Sequence, residues 1–244
     1  NAWPPYDPQI AEAKHQEALK NWAGAVEKAK AQGTHEPDKP RKALDPKLRK
    51  RAPADFYNGM IRPLIPYAIR GVIWYQGEWN DWNAYWYRTT LPTLINDWRS
   101  RWGQGDFPFG IVQLPNHGDV QTQPVENSAW AEVREAQLLA AQHMTNAGLA
   151  VTIDTSANGN LHPTNKQDVA HRLALWALAK VYGRDVAYSG PIFDMMKVEG
   201  TKVTLEFKQT GDGLVAKGDK LTGFAIAGAD KVFHAAEASL DDRC

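Results

Sequence analysis

Three short apolar runs alternate with three amphipathic segments between Ile69 and Tyr182, and that alternation leaves the chain very few architectures. The runs are Ile69–Tyr75 (IRGVIWY), Phe109–Leu114 (FGIVQL) and Leu149–Asp154 (LAVTID). Each is rich in β-branched and aromatic residues without strict polar alternation, so each predicts a strand buried on both faces. The first amphipathic segment is the second half of Trp82–Trp102, where Leu91, Leu94, Ile95, Trp98 and Trp102 share one stripe. Thr89 or Thr90 is placed to cap it, Pro92 fits its first turn, and Gly103 ends it. The second runs from Ser128, which reads as an N-cap, to Met144. The third is Pro163–Tyr182, with Val169, Leu173, Trp176 and Ala177 facing inward and Gly183 beyond its end. Strand and helix in strict alternation predict an α/β fold with a parallel sheet covered by helices.

The flanks have a different texture. Gln9–Gln32 is rich in Ala, Glu and Lys, with Leu19, Trp22, Ala23 and Val26 at helical spacing and Gly33 as a stop. Thr34–Ala54 holds Pro37, Pro40, Pro46 and Pro53 among basic residues, predicting an exposed connection with at most one helical turn around Lys47–Arg51. After Arg184, Met196–Val198, Lys202–Phe207 and Phe224–Ile226 are short strands separated by Gly-containing turns, the pattern of β-hairpins. The expected organisation is a helical insertion and Pro-rich linker over 1–55, an α/β core over 56–189, and a partial antiparallel β region over 190–244.

Charge and composition exclude some functions. The 28 Lys+Arg and 28 Asp+Glu cancel, which argues against a nucleic-acid binder working by phosphate neutralisation. No apolar run approaches the ~20 residues of a membrane span. Cys244 is the single cysteine, so no internal disulfide and no Cys-based zinc site is expected. The chain opens on Asn1 without a start methionine or signal peptide and is expected to be a piece of a longer protein. Ten tryptophans leave two readings open: aromatic core packing, or a surface on which sugar rings stack.

In a parallel α/β sheet, ligands bind beyond the carboxyl ends of the strands. Three segments are expected there. Gln76-Gly77-Glu78-Trp79-Asn80 follows the first strand and brings an amide, a permissive glycine and a carboxylate to its tip. Pro115–Glu126 follows the second strand and contains His117, which is placed to line a pocket. Thr155–His162 follows the third and delivers His162 ahead of Pro163 at a predicted helix start, where a neutral imidazole is favoured as a base. His143 and His171 fall inside predicted helices and read as structural. A His162, Glu78 and His117 metal trio has no recognisable ligand spacing, and no metal or other cofactor is expected.

Residues 57–64 (YNGMIRPL), 71–80 (GVIWYQGEWN), 107–110 (FPFG), 130–137 (WAEVREAQ) and 161–166 (LHPTNK) together resemble the sialate O-acetylesterases of the SGNH hydrolase superfamily. The likeness runs in the family's order over roughly residues 1–235. It implies a three-layer α/β/α serine esterase, incomplete at its N-terminus, that removes O-acetyl groups from sugars such as sialic acid. It implies His162 as the catalytic base, with Gln76 and Gly77 in the block that supplies oxyanion donors. Glu78 and Asn80 belong to the same block, Glu78 holding the loop or binding substrate. Family members act in secreted, periplasmic and lysosomal settings. Two departures matter. The family's Gly-Gln-Ser-Asn-Met nucleophile motif is not in this sequence, so the serine is expected outside the chain, on a companion segment. Asn160 stands where the family places the aspartate that orients the histidine, and an amide there cannot stabilise an imidazolium by charge. A catalytically silent carbohydrate-binding or truncated member is the alternative. A sheet lacking its first strand is expected to need a companion segment or self-association over its open edge.

Overall fold

The hydrogen-bond ladders of the sheet run β1-β2-β3, all parallel, with β1 at Val72–Trp74, β2 at Phe109–Val112 and β3 at Ala147–Ala150. They are seen in a computed structural model that describes residues 7–34, 36–40, 54–124, 128–156, 159–216 and 218–241. Those residues fall into two compact units that divide between Pro66 and Tyr67. In the first, α1 (Pro8–Gln32) begins where the Asp7 side chain accepts from the Gln9 and Ile10 amides and ends at Gly33. The turn expected around Lys47–Arg51 lies outside the described residues.

The second unit holds the sheet. Helices α2 (Ala84–Trp102) and α3 (Ala129–His143) cover one face, where Tyr87, Leu91, Ile95, Val133, Ala136 and Ala140 close over Phe109 and Ile111. Trp74, Trp98 and Trp102 join this core, with Trp74 and Trp98 edge to face at 5.8 Å, so these tryptophans are packing residues. Helix α4 (Lys166–Lys180) covers the opposite face. It reaches the sheet because β3 carries Gly148: a Cβ there would lie 1.9 Å from the Trp176 indole nitrogen. The result is the expected α/β sheet with a helix layer on each side. At the amino ends of the strands, buried Arg99 of α2 donates to the carbonyls of Phe107 and Thr145, tying the entries to β2 and β3 together.

Several boundaries differ from the sequence reading, each for a physical reason. Strand β1 is an edge strand rather than one buried on both faces. Its Val72 and Trp74 pack on the α2/α3 core, while Ile73 is 70 % exposed because α4 packs against β2 and β3. The third strand begins at Ala147 and stops at Ala150, where its partner β2 stops at Val112, so Asp154 lies in the following turn, paired to Arg172. Helix α2 starts at Ala84, straight from a 3-10 segment at Glu78–Asn83, which leaves Pro92 in its interior rather than its first turn. The Thr93 hydroxyl donates to the Thr89 carbonyl, so Thr89 is inside the helix and not its cap. The missing Pro92 N–H is tolerated between Leu91 and Ile95, both buried in the core. Helix α4 begins at Lys166, because Asn165 accepts from the Asp168 amide and is the cap. Ser128 caps α3 as expected, accepting from the Ala131 amide at 3.3 Å. The C-terminal region is antiparallel: β4 (Ile192–Glu199) pairs with β5 (Lys202–Lys208), and β6 (Ala225–Ala227) with β7 (Phe233–Ala235). Among the described residues no helix is long and apolar enough to cross a membrane.

Candidate functional site

Leaving β1, the chain makes an immediate sharp turn at Gly77. Its φ of 153° is strained for any side chain, and a Cβ would sit 3.1 Å from Val133 and 3.2 Å from the Gln137 amide. The Glu78 carboxylate folds back to accept the Gly77 N–H at 3.0 Å, and the Asn80 N–H donates to the Gly77 carbonyl at 2.9 Å. Glu78 therefore holds the loop.

A chain of side-chain hydrogen bonds runs through this turn, and its direction can be deduced. An indole nitrogen only donates, so Trp74 Nε1 donates to the Tyr87 hydroxyl at 3.2 Å. The Tyr87 proton then points at Gln76, 2.9 Å from its Oε1 and 3.1 Å from its backbone carbonyl. With Oε1 facing Tyr87, Gln76 Nε2 donates to Asn80 Oδ1 at 2.9 Å. That orientation makes the Asn80 Nδ2 protons the last donors of this series of bonds. Burial pushes the Tyr87 pKa up to about 12, with Glu78 adding to the rise against opposing hydrogen bonds, so the hydroxyl keeps its proton.

Gln137 braces the turn from behind. It is fully buried on α3, accepts from the Leu114 amide at 2.9 Å, and donates to the Gln76 carbonyl at 3.0 Å and the Val112 carbonyl at 3.3 Å. It thereby joins the exits of β1 and β2. Neither Tyr87 nor Gln137 was singled out from the sequence. The signal for Gln137 was a polar residue on the apolar stripe of Val133, Ala136 and Ala140.

The exits of β2 and β3 are stitched to each other. The Asn116 side chain pairs with the Ser156 backbone, donating to its carbonyl at 2.8 Å and accepting its N–H at 3.1 Å. The Gly118 N–H donates to the Gly159 carbonyl at 2.9 Å, and His117 Nδ1 donates to the same carbonyl at 3.0 Å. The Trp130 indole donates to the Pro115 carbonyl at 2.7 Å, and its ring lies 4.9 Å from that of His117. Buried Ser156 donates to the Asn160 carbonyl, which fixes the start of the segment leading to His162.

His162 is exposed on that segment. Asn160 Oδ1 accepts the His162 backbone N–H at 2.9 Å, so this amide orders the peptide chain and not the imidazole ring. Asp154 makes two bonds to the Arg172 guanidinium, at 2.6 and 2.8 Å. The Gln76 and His162 segments leave the same end of the sheet, from β1 and β3, with the β2 exit between them. The first turn of α4 approaches the β1 exit, where Lys166 sits 4.7 Å over the Tyr75 ring. Among the described residues no hydrogen bond joins His162 to residues 76–80, and no three His, Cys, Asp or Glu side chains cluster as a metal site.

Residues 47–178 match the family model for the carbohydrate esterase, sialic acid-specific acetylesterase family. Sialate O-acetylesterase from Homo sapiens is 35% identical over 56% of this chain and 29% of its own length. The Mus musculus enzyme is 38% identical over 56% of this chain and 28% of its own length. A crystal structure of a carbohydrate acetylesterase from Xanthomonas citri is 41% identical with a TM-score of 0.70, covering 78% of this chain and 44% of that one. The chain thus spans under a third of the length of these curated relatives.

Proposed function

The chain belongs to the sialic acid-specific acetylesterase family of carbohydrate esterases, and we propose that it carries the base and the oxyanion donor for hydrolysis of O-acetyl esters on a sugar. The observation that carries the proposal is the directed chain Trp74–Tyr87–Gln76–Asn80, which ends in an amide donor at the carboxyl edge of the sheet. An acyl-transfer site needs such a donor fixed before the reaction, because reorientation during it would cost part of the stabilisation.

The nucleophile in this reading is a serine on a Gly-Gln-Ser-Asn-Met segment outside this chain. The described serines with hydroxyl bonds have other work: Ser128 caps α3, Ser156 donates to Asn160, and Ser189 donates to Gly190. The incoming serine oxygen attacks the acetyl carbonyl while His162 takes its proton. Negative charge gathers on the carbonyl oxygen, where Asn80 Nδ2 donates to it. Gln76 orients that amide, and Gly77 permits the turn that places it. Collapse of the intermediate expels the sugar oxygen, which recovers the proton from His162, and water then repeats the sequence on the acetyl-enzyme. The companion segment is assigned to the outer edge of β1, beside exposed Ile73, and self-association would cover the same edge.

The test is turnover of p-nitrophenyl acetate and 9-O-acetylated sialic acid by the chain alone and with the serine segment supplied in cis or as a second chain. The expected result is no turnover alone, recovery with the segment, and loss again on His162→Ala. Full activity of the unsupplemented chain would show another nucleophile and overturn the assignment. Sugar binding with no turnover in either form would identify a silent carbohydrate-binding member.

A further inference from the structure

Tyr75 stands between the two parts of the site. It is the first residue beyond β1 and directly precedes Gln76. Val72 and Trp74 pack on the α2/α3 core, so strand alternation turns Tyr75 to the other face of the sheet, the one that α4 covers. There it meets the chain that leaves β3 twice. Lys166, at the first position of α4, holds its ammonium 4.7 Å from the centre of the Tyr75 ring. At the far end of the side chain, the Tyr75 hydroxyl is shut off from solvent beside Thr152, in a geometry short of a full hydrogen bond.

Thr152 and Lys166 flank His162 in the sequence. Thr152 is fully buried, and its hydroxyl donates to the Gln113 carbonyl at the β2 exit. Its carbonyl accepts from the Thr155 N–H at 3.1 Å and from the Thr155 hydroxyl at 2.9 Å. Lys166 follows Asn165, the cap of α4. A single side chain from the β1 exit therefore touches the His162 segment where it begins and where it ends.

Neither contact benefits the element that supplies it. A cation in the first turn of a helix opposes the helix dipole, and among the described residues Lys166 has no ion pair to offset this. What holds the ammonium is the electron-rich face of the ring. A buried hydroxyl without a full partner is less favourable than a plain phenyl ring in the same place. Burial, with the Glu78 carboxylate adding to it, pushes the Tyr75 pKa up, so that hydroxyl keeps its proton. Local rules broken together at one place in a fold point to function.

We propose that Tyr75 is a positioning residue, which registers the His162 segment against the Gln76–Asn80 turn so that base and oxyanion donor face one reacting carbon. The proposal rests on the acetylesterase reading for what His162 does, and on the Tyr75 contacts alone for the registration. Placement matters at this scale, because a shift of about 1 Å can cost ~10²-fold in rate.

The experiment has one arm on the chain itself and one on the serine-supplied form. In the ¹⁵N-labelled chain, the order parameter of the His162 amide should fall in Tyr75→Leu and in Lys166→Met, while that of Gly77 stays unchanged. Lys166 is exposed, so Lys166→Met should melt with the parent, and order lost there cannot be ascribed to unfolding. In the serine-supplied form, each single variant should lower kcat for p-nitrophenyl acetate about tenfold with KM held. The double variant should be no slower than the slower single one, since the two residues act as one unit. Lys166→Arg keeps a cation over the ring and should keep most of kcat. Unchanged order at His162 in both variants, losses in kcat that multiply, or a raised KM with kcat kept would overturn the proposal. If order at His162 depends on Tyr75 and Lys166 while no form hydrolyses an acetyl ester, the registration stands and the esterase reading falls.

Discussion

The segments that follow β1 and β3 leave the same end of one sheet and are built in opposite ways. After β1, Tyr87, Gln76, Asn80 and Gln137 are linked through directed bonds and Glu78 holds Gly77, all of these bonds partly shielded from solvent. After β3, His162 is exposed, and the one side chain holding its residue, Asn160, grips the backbone N–H. An oxyanion donor must be fixed in advance, since its value lies in not having to reorganise. A base must meet a nucleophile, and in this reading the nucleophile arrives on another segment. In the proposed reading, the contrast is between a donor half held by its own side chains and a base half left open to the incoming nucleophile.

Breaking each half in turn separates them. In the serine-supplied form, His162→Ala should lower kcat by about 10²–10⁴, the range for loss of a general base. Asn80→Ala should lower kcat by about 10²–10³ with little change in KM, as for removal of one oxyanion donor. A larger change in KM than in kcat would make Asn80 a ground-state contact instead. Gln137→Met keeps the volume but removes the side-chain partner of the Leu114 amide and the Val112 carbonyl and leaves the Gln76 carbonyl to the Tyr87 hydroxyl. It should cost about 2–4 kcal/mol in urea unfolding. His162→Ala, on an exposed segment, should shift the urea midpoint hardly at all.

The donor half also carries a pH signature. Tyr87 titrates near 10 in the unfolded chain and at about 12 in the fold, chiefly because it is buried. The unfolded state therefore releases its proton first, and stability should fall as pH rises from about 10 to about 12. The fall attributable to this one group is about 2–3 kcal/mol. Urea unfolding at pH 9 and pH 11.5 checks it: the difference between the two should shrink in Tyr87→Phe. On the base half, Asn160→Asp retains an oxygen for the His162 N–H and adds a charge. It should raise kcat tenfold or more if the imidazolium lacks an acid, and an unchanged kcat would show that some other group stabilises it.

How legible these halves were in the sequence follows the same division. The alternation of runs from Ile69 to Tyr182 contained the parallel sheet, because burial of β2 is a property of its own residues, Phe109–Val112. The edge position of β1 was not legible, since Ile73 looks as apolar as Ile111 and its exposure is decided by where α4 packs. Residues 76–80 stood out by residue type at a strand tip. Tyr87 and Gln137, which aim them, are ordinary helix residues in sequence, and only tertiary contact gives them a role. Asn160 was visible as an amide near His162, but whether it faces the ring or the backbone is a matter of local turn geometry.

Amide hydrogen exchange compares the two halves in a single experiment on the chain itself. Buried Leu114, whose N–H donates to Gln137, and Gly77, whose N–H donates to Glu78, should exchange slowly, while exposed His162 should exchange within the shortest labelling times. Addition of the serine segment should slow His162 and leave Leu114 and Gly77 unchanged. Equal protection of Gly77 and His162 in the chain alone, or rapid exchange at Leu114, would contradict the account of a donor half held by its own side chains beside a base half left open.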